Sequence, residues 1–184
     1  MADGLDLLKR VLLLTGNPSV GKTTVLLKVI EFLKKKGYSV GGMISREVRF
    51  EGVRVGFEIL DLNSDKHGWL AHVNQKFGPQ VGKYRVNLHD LNNVGVNAIL
   101  NAVKENDIVA IDEIGPMELF SEKFKQAVWE AIESGKFVIG VVHLKAKDKL
   151  IERIKARENT EIFTVTYENR DTMPETVVKK LKNI

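Results

Sequence analysis

Apolar residues fall along this chain in two kinds of block. Short unbroken runs read as buried strands: Arg10–Thr15, Asp107–Asp112, Lys136–Val142 and Glu161–Thr166. Longer stretches, with apolar positions three and four apart, read as helices. These are Lys22–Lys36, ended by Gly37; Leu88–Asn106; Ser121–Ser134, with Ser121 as N-cap and Gly135 closing it; Asp148–Arg157; and Pro174–Lys182. Val40–Val48 and Val53–Leu62 read as strands joined across Phe50-Glu51-Gly52, a hairpin signal with glycine in the loop. Shorter strands are expected at Gly68–Val73 and Gly82–Asn87. Strands alternating with helices predict an α/β fold, a mostly parallel twisted sheet flanked by helices on both faces. The region between residues 40 and 87 breaks that rhythm, so it is expected to extend the sheet with an antiparallel hairpin region. No linker, repeat or low-complexity tract interrupts the 184 residues, which read as one domain over 1–184.

The first strand runs into Gly16, Asn17, Pro18, Ser19, Val20, Gly21, Lys22, Thr23 and Thr24. This is the phosphate-binding pattern G-x-x-x-x-G-K-[ST], set between a strand and a helix as its chemistry requires. Gly16 and Gly21 let the backbone turn and approach phosphate oxygens. Loop N–H groups point inward at the positive end of the following helix. Lys22 reaches β- and γ-phosphate oxygens, the Thr23 hydroxyl suits Mg²⁺, and Thr24 is placed for the α-phosphate. The pattern names a nucleoside triphosphate with Mg²⁺ as the ligand.

Ile108, Val109, Ala110, Ile111, Asp112 and Glu113 form an apolar run ending in two acids. A buried parallel strand delivers its last residue to the carboxyl edge of the sheet, where such folds place ligands. Asp112 is expected to hold Mg²⁺. Glu113, next to it, is placed to take a proton from water for in-line attack on the γ-phosphate.

Asp112-Glu113-Ile114-Gly115 followed by Met117-Glu118-Leu119-Phe120-Ser121 resembles the D-E-I-G-x-M-E-L-F-S signature of the small nucleoside-triphosphatases of thermophilic bacteria, archaea and vertebrates. Ser45-Arg46-Glu47-Val48-Arg49, Gly82-Lys83-Tyr84-Arg85-Val86-Asn87 and Glu168-Asn169-Arg170-Asp171 resemble further segments of that family, so the likeness spans nearly the whole chain. Some members carry Lys where this chain has Pro116. The resemblance implies a P-loop NTPase fold and Mg²⁺-dependent hydrolysis of ATP, GTP and other NTPs to NDP and phosphate, with weak base selectivity. It also implies two nucleotide-site stretches, Gly16–Thr23 and Ile108–Gly115. Physically, only Asp112 to Gly115 of the second is expected to touch ligand or metal.

Further candidates carry alternative readings. Arg153 and Arg157 share a helix face and could act as cis arginine fingers, or simply face solvent. His143 follows a strand end and lies near the γ-phosphate if that strand neighbours the phosphate-loop strand. Asn169 and Arg170 follow the last strand, where related folds cradle the base. Arg46 and Arg49 either face the site or pair with Glu47 and Glu51. The same site also suits a nucleotide or nucleoside kinase, with an acceptor in place of water, or an NTP-dependent switch. No N-K-x-D base motif is present, unlike typical GTPases.

Composition narrows these classes. The absence of cysteine excludes disulfides, zinc-thiolate sites and a thiol nucleophile, and the four histidines lack metal-ligand spacing. No run has the length of a membrane span, and Met1–Arg10 lacks the order of a signal peptide, so a cytoplasmic protein is expected. A net charge of +4 is mild, and the one lysine run, Lys34–Lys36, reads as a solvated helix end, so a nucleic-acid partner is not expected. A monomer acting on free nucleotides is the expectation.

Overall fold

The computed structural model describes residues 9–181, built around one nine-stranded sheet. In chain order the elements are β1 (Val11–Thr15), α1 (Lys22–Lys35), β2 (Val40–Phe50), β3 (Val53–Asp61), β4 (His67–His72), β5 (Gln80–Val81), β6 (Tyr84–Val86), α2 (Leu88–Asp90), α3 (Asn97–Glu105), β7 (Ile108–Ile114), α4 (Glu122–Glu133), β8 (Phe137–Val142), α5 (Lys149–Lys155), β9 (Thr160–Thr164) and α6 (Met173–Lys180). A π-helical stretch, Leu91–Val96, joins α2 to α3, and a 3-10 turn, Glu118–Phe120, follows β7. The sheet order is β5-β6-β4-β3-β2-β7-β8-β1-β9. Strands β2, β7, β8, β1 and β9 run parallel. From β2 outward through β3, β4, β6 and β5 the pairing is antiparallel. The α/β plan with its antiparallel extension is the one the sequence predicts.

Right-handed crossovers decide which face each helix covers. The chain moves from β1 to β2 in one direction and from β7 to β8 to β9 in the other. Helix α1 therefore packs on one face, and α4 and α5 on the opposite one. Leu12 and Leu14 of β1 join Val25, Leu26, Val29 and Leu33 of α1, and Val177 of α6, in one core. Val11 and Leu13 point the other way, into a core with Ile99 of α3, Phe124 and Val128 of α4, and Ile151 of α5. Each such side chain contributes about 1.5–3 kcal/mol by leaving water. This burial on both faces is why the parallel strands read as unbroken apolar runs.

Several expectations change in detail. Leu88–Asn106 is not one α-helix. Asn87 caps α2 by accepting from the Asp90 N–H, and the chain then widens into the π-helical stretch before α3. Gly95 lies within that stretch, and a Cβ there would sit 2.7 Å from Met43 Sδ of β2. The wider turn lets backbone press against the sheet where a side chain has no room. The strand expected at Gly82–Asn87 is the shorter β6, paired in a hairpin with β5, because Gly82 takes φ +58° and turns the chain. The last helix ends at Lys180; Lys182, within its expected span, lies outside the described residues. Ser121 does cap α4, accepting from the Phe124 N–H at 3.0 Å. Arg46 pairs with Glu58 across the β2–β3 ladder, and Arg49 with Glu47, so the expected partner Glu51 takes neither.

Candidate active site

The site forms at the carboxyl edge of the parallel strands. β1 ends at Thr15, and residues 16–21 loop from it into α1. Gly21 has φ +106°, and Gly16 lies so close to β9's end that a Cβ would stand 2.5 Å from the Val165 carbonyl oxygen. Both positions therefore exclude larger residues. The Lys22 ammonium donates to the carbonyls of Gly16 and Asn17, at 3.2 and 3.0 Å, and so lies across the loop's mouth.

One strand, β8, separates β1 from β7. Two strand spacings are about 10 Å, enough for a phosphoryl group and a water between Lys22 and the end of β7. The first turn of α1 closes back over that gap, and the Thr23 hydroxyl donates to the Asp112 carboxylate. Asp112 is 1% exposed, and its Oδ2 has no hydrogen-bond partner. Burial first, and then the charge of Glu113, push its carboxyl up to about 7, against the opposing Thr23 hydrogen bond and Lys22 charge. An orphaned buried carboxylate oxygen beside a hydroxyl fits a hard cation. Among the described residues no group of three or more His, Cys, Asp or Glu could hold a metal unaided. That suits an ion such as Mg²⁺, which takes its other ligands from phosphates and water.

The β7–β8 pairing shifts register between Ile111 and Ile114, so the strand is irregular where Asp112 and Glu113 emerge. The Asp112–Glu113 peptide is cis. Glu113 is partly exposed at the edge, whereas Ile108, Val109, Ala110 and Ile111 are fully buried in the sheet. Of the stretch Ile108–Gly115, then, the first four residues serve the core and cannot touch a ligand. Ile114 also packs into the core, leaving Asp112, Glu113 and the Gly115 backbone at the edge.

A family model described as NTPase matches residues 11–178. The chain belongs to this NTPase family. The nucleoside-triphosphatase THEP1 of Thermofilum pendens is 44% identical over 173 residues, covering 94% of this chain and 95% of its own. Its counterpart from Methanosarcina acetivorans is 47% identical over 167 residues, covering 90% and 93%. Among solved structures, THEP1 from the hyperthermophile Aquifex aeolicus superposes with a TM-score of 0.81 at 28% identity, covering 94% of this chain and 99% of that one. A human cancer-related nucleoside triphosphatase gives 0.81 at 33% identity, covering 95% and 98%.

The outlying candidates of this NTPase separate on inspection. β8 does neighbour β1, so His143 stands at a strand end between the phosphate loop and Asp112. Its Nδ1 accepts from the Lys145 N–H at 3.2 Å, which leaves Nε2 as the ring's donor. Arg170 lies beside Gly21, and together with Thr24, Val25, Lys28 and Asp171 it lines a cleft of about 220 Å³. The Asn169 amide accepts from the Thr166 N–H and donates to the Thr164 carbonyl, so it braces the loop. The two candidate arginine fingers pack against α4. Arg157 pairs with Glu133 and Asn159, and the Asn159 carbonyl accepts from the Val11 N–H at the start of β1, the edge opposite the loop. The Arg153 guanidinium carbon stands over Trp129, 3.7 Å from the ring centroid. Arg153 lines a larger groove, about 730 Å³, between α4 and α5 on the outer face.

Two residues near the candidate site escape sequence reasoning. Tyr167 is 61% exposed beside the Arg170 guanidinium, 5.4 Å from its ring centroid. A lone tyrosine before a polar turn carries no pattern. Glu118 is 3% exposed, and an acid set between Met117 and Leu119 was the available signal. Burial first, then the nearby Glu113 charge, push its carboxyl well above the usual carboxylate range.

Proposed function

We propose that this chain hydrolyses ATP, GTP and other NTPs to NDP and phosphate with Mg²⁺ as its cofactor, acting as a single-domain monomer on free cytoplasmic nucleotides. The observation carrying the reading is the buried, unpartnered Asp112 oxygen beside Thr23, with Lys22 and Glu113 at the same sheet edge. Loop N–H groups and Lys22 hold the β- and γ-phosphates. Thr23 and Asp112 would hold the cation, which would neutralise charge on the phosphate oxygens. Glu113 takes the proton as a water oxygen bonds to the γ-phosphorus and the β–γ bridge bond breaks. The Nε2–H of His143 is available to a γ-phosphate oxygen. The kinase alternative loses the support of Arg153 and Arg157, which lie away from the loop.

The test is steady-state phosphate release from ATP, GTP, CTP and UTP, with and without NMP acceptors. All four should be hydrolysed, and EDTA should abolish turnover. Transfer of labelled γ-phosphate to an acceptor, in place of its release, would overturn the reading. The pH dependence carries its own sign. Asp112 must lose a proton to hold the cation, and its carboxyl titrates at about 7. Apparent Mg²⁺ affinity should therefore fall as pH drops below about 7, by about tenfold per unit, and level off above it. A Mg²⁺ titration at several pH values checks this; a flat profile from 5.5 to 8 would remove Asp112 from the metal.

Weak base selectivity follows from an open stacking surface. Tyr167 with Arg170 offers a flat face that any base can cover, and every base has a π-face. Tyr167→Ala should raise KM for all four NTPs by a similar factor, roughly tenfold, leaving kcat nearly unchanged. A loss confined to one base would mean edge readout instead.

A further inference from the structure

The Glu118 carboxyl is folded back toward β7. The backbone N–H groups of Glu118 itself and of Gly115 favour its ionised form, against burial and the Glu113 charge. Glu113 stands on the same side of Gly115. A Cβ on Gly115 would lie 2.7 Å from Glu113 Oε1, 3.1 Å from Glu113 Cγ and 3.2 Å from Glu118 Oε2. The two carboxyl groups thus border one methyl-sized gap, which the glycine leaves open. Glu118 is among the few buried polar side chains, and the chemistry derived above gives it no part. A buried acid is costly unless its oxygens are engaged, and here they are engaged by the turn that carries the chain away from Glu113.

We propose that Glu118 is a positioning residue, its buried carboxyl fixing the turn at Gly115 and bracing the Glu113 side chain so that Glu113 stays aimed at the attacking water. The proposal rests on the reading of Glu113 as general base. A general base held loosely loses productive orientation while nucleotide binding is untouched, since a small misplacement is enough to slow proton transfer. Glu118 should therefore act on kcat and not on KM, and only through Glu113.

A double-mutant cycle in the full chain tests this. Glu118→Ala should lower kcat by roughly tenfold or more, with KM for ATP within about twofold of wild type. Glu118→Gln keeps the shape and an oxygen for the two N–H groups, so it should recover most of that loss. In a Glu113→Gln background, Glu118→Ala should cost nothing further, because the residue it positions is already disabled. An equal loss in both backgrounds would make Glu118 mere scaffold and overturn the proposal, as would a failure of Glu118→Gln to recover activity. If Glu118→Ala does not fold, Glu118→Asp, which draws the carboxyl back by one methylene, replaces it in the same cycle. It should lower kcat with KM preserved and cost nothing further in the Glu113→Gln background; wild-type kcat there overturns the bracing role. Should the Glu113→Gln single variant itself keep wild-type turnover, the general-base reading fails instead, and the cycle separates the two failures.

Discussion

Glu113→Gln lowers kcat by roughly 10²-fold or more, while NTP and Mg²⁺ still bind. Glutamine keeps the size of the side chain and one hydrogen-bonding oxygen, but it cannot take a proton. Glu113 sits one residue past Asp112, where the β7–β8 register shifts and the strand leaves the sheet. The phosphate loop and the Thr23–Asp112 pair lie on other elements or other atoms, so the substitution leaves them intact. Turnover and equilibrium nucleotide binding, measured on the same preparation, check the split. A change of less than about twofold would class Glu113 with ordinary surface acids. A parallel collapse of NTP affinity would make it a metal ligand or brace.

Lys22→Ala costs roughly 10²–10³ in kcat, about 3–4 kcal/mol of transition-state stabilisation. The ammonium is the cation held across the loop's mouth by the Gly16 and Asn17 carbonyls. Removing it takes away a charge aimed at the phosphoryl group in flight. The fold should survive, because the buried face of α1 is made by Val25, Leu26, Val29, Ile30 and Leu33, not by Lys22. Circular dichroism and thermal melting, alongside steady-state kinetics, separate the two effects. A folded variant keeping more than about half of wild-type turnover would place the chemistry elsewhere.

Some of this architecture was open to reading because its causes are local. The phosphate loop is contiguous, and its glycines, lysine and threonines must stand in that order for the backbone to wrap a phosphate. The β7 run shows its destination because a strand buried on both faces has no polar residue until it leaves the sheet. Ser121 was readable as a cap for the same reason: the bond it makes is three residues away. Other features depend on what another element does. The helix expected at Leu88–Asn106 widens at Gly95 because Met43, far away in sequence, occupies the space. Arg153 and Arg157 look like free cations on a helix, yet Trp129 and Glu133 of α4 take them.

The sequence by itself determined the ligand class, the loop that grips it, the two acids at the end of β7 and the alternation that makes an α/β sheet. Each is a short-range pattern with a stereochemical cause. Tertiary structure alone decided that β8 stands between β1 and β7, setting His143 at a strand end between the phosphate loop and Asp112, and that Asn169 braces a loop. It also decided that Glu118 and Glu113 share the gap over Gly115. Those outcomes depend on strand order and on how chain segments close over one another. No local pattern encodes that closure, because burial of the whole core selects it.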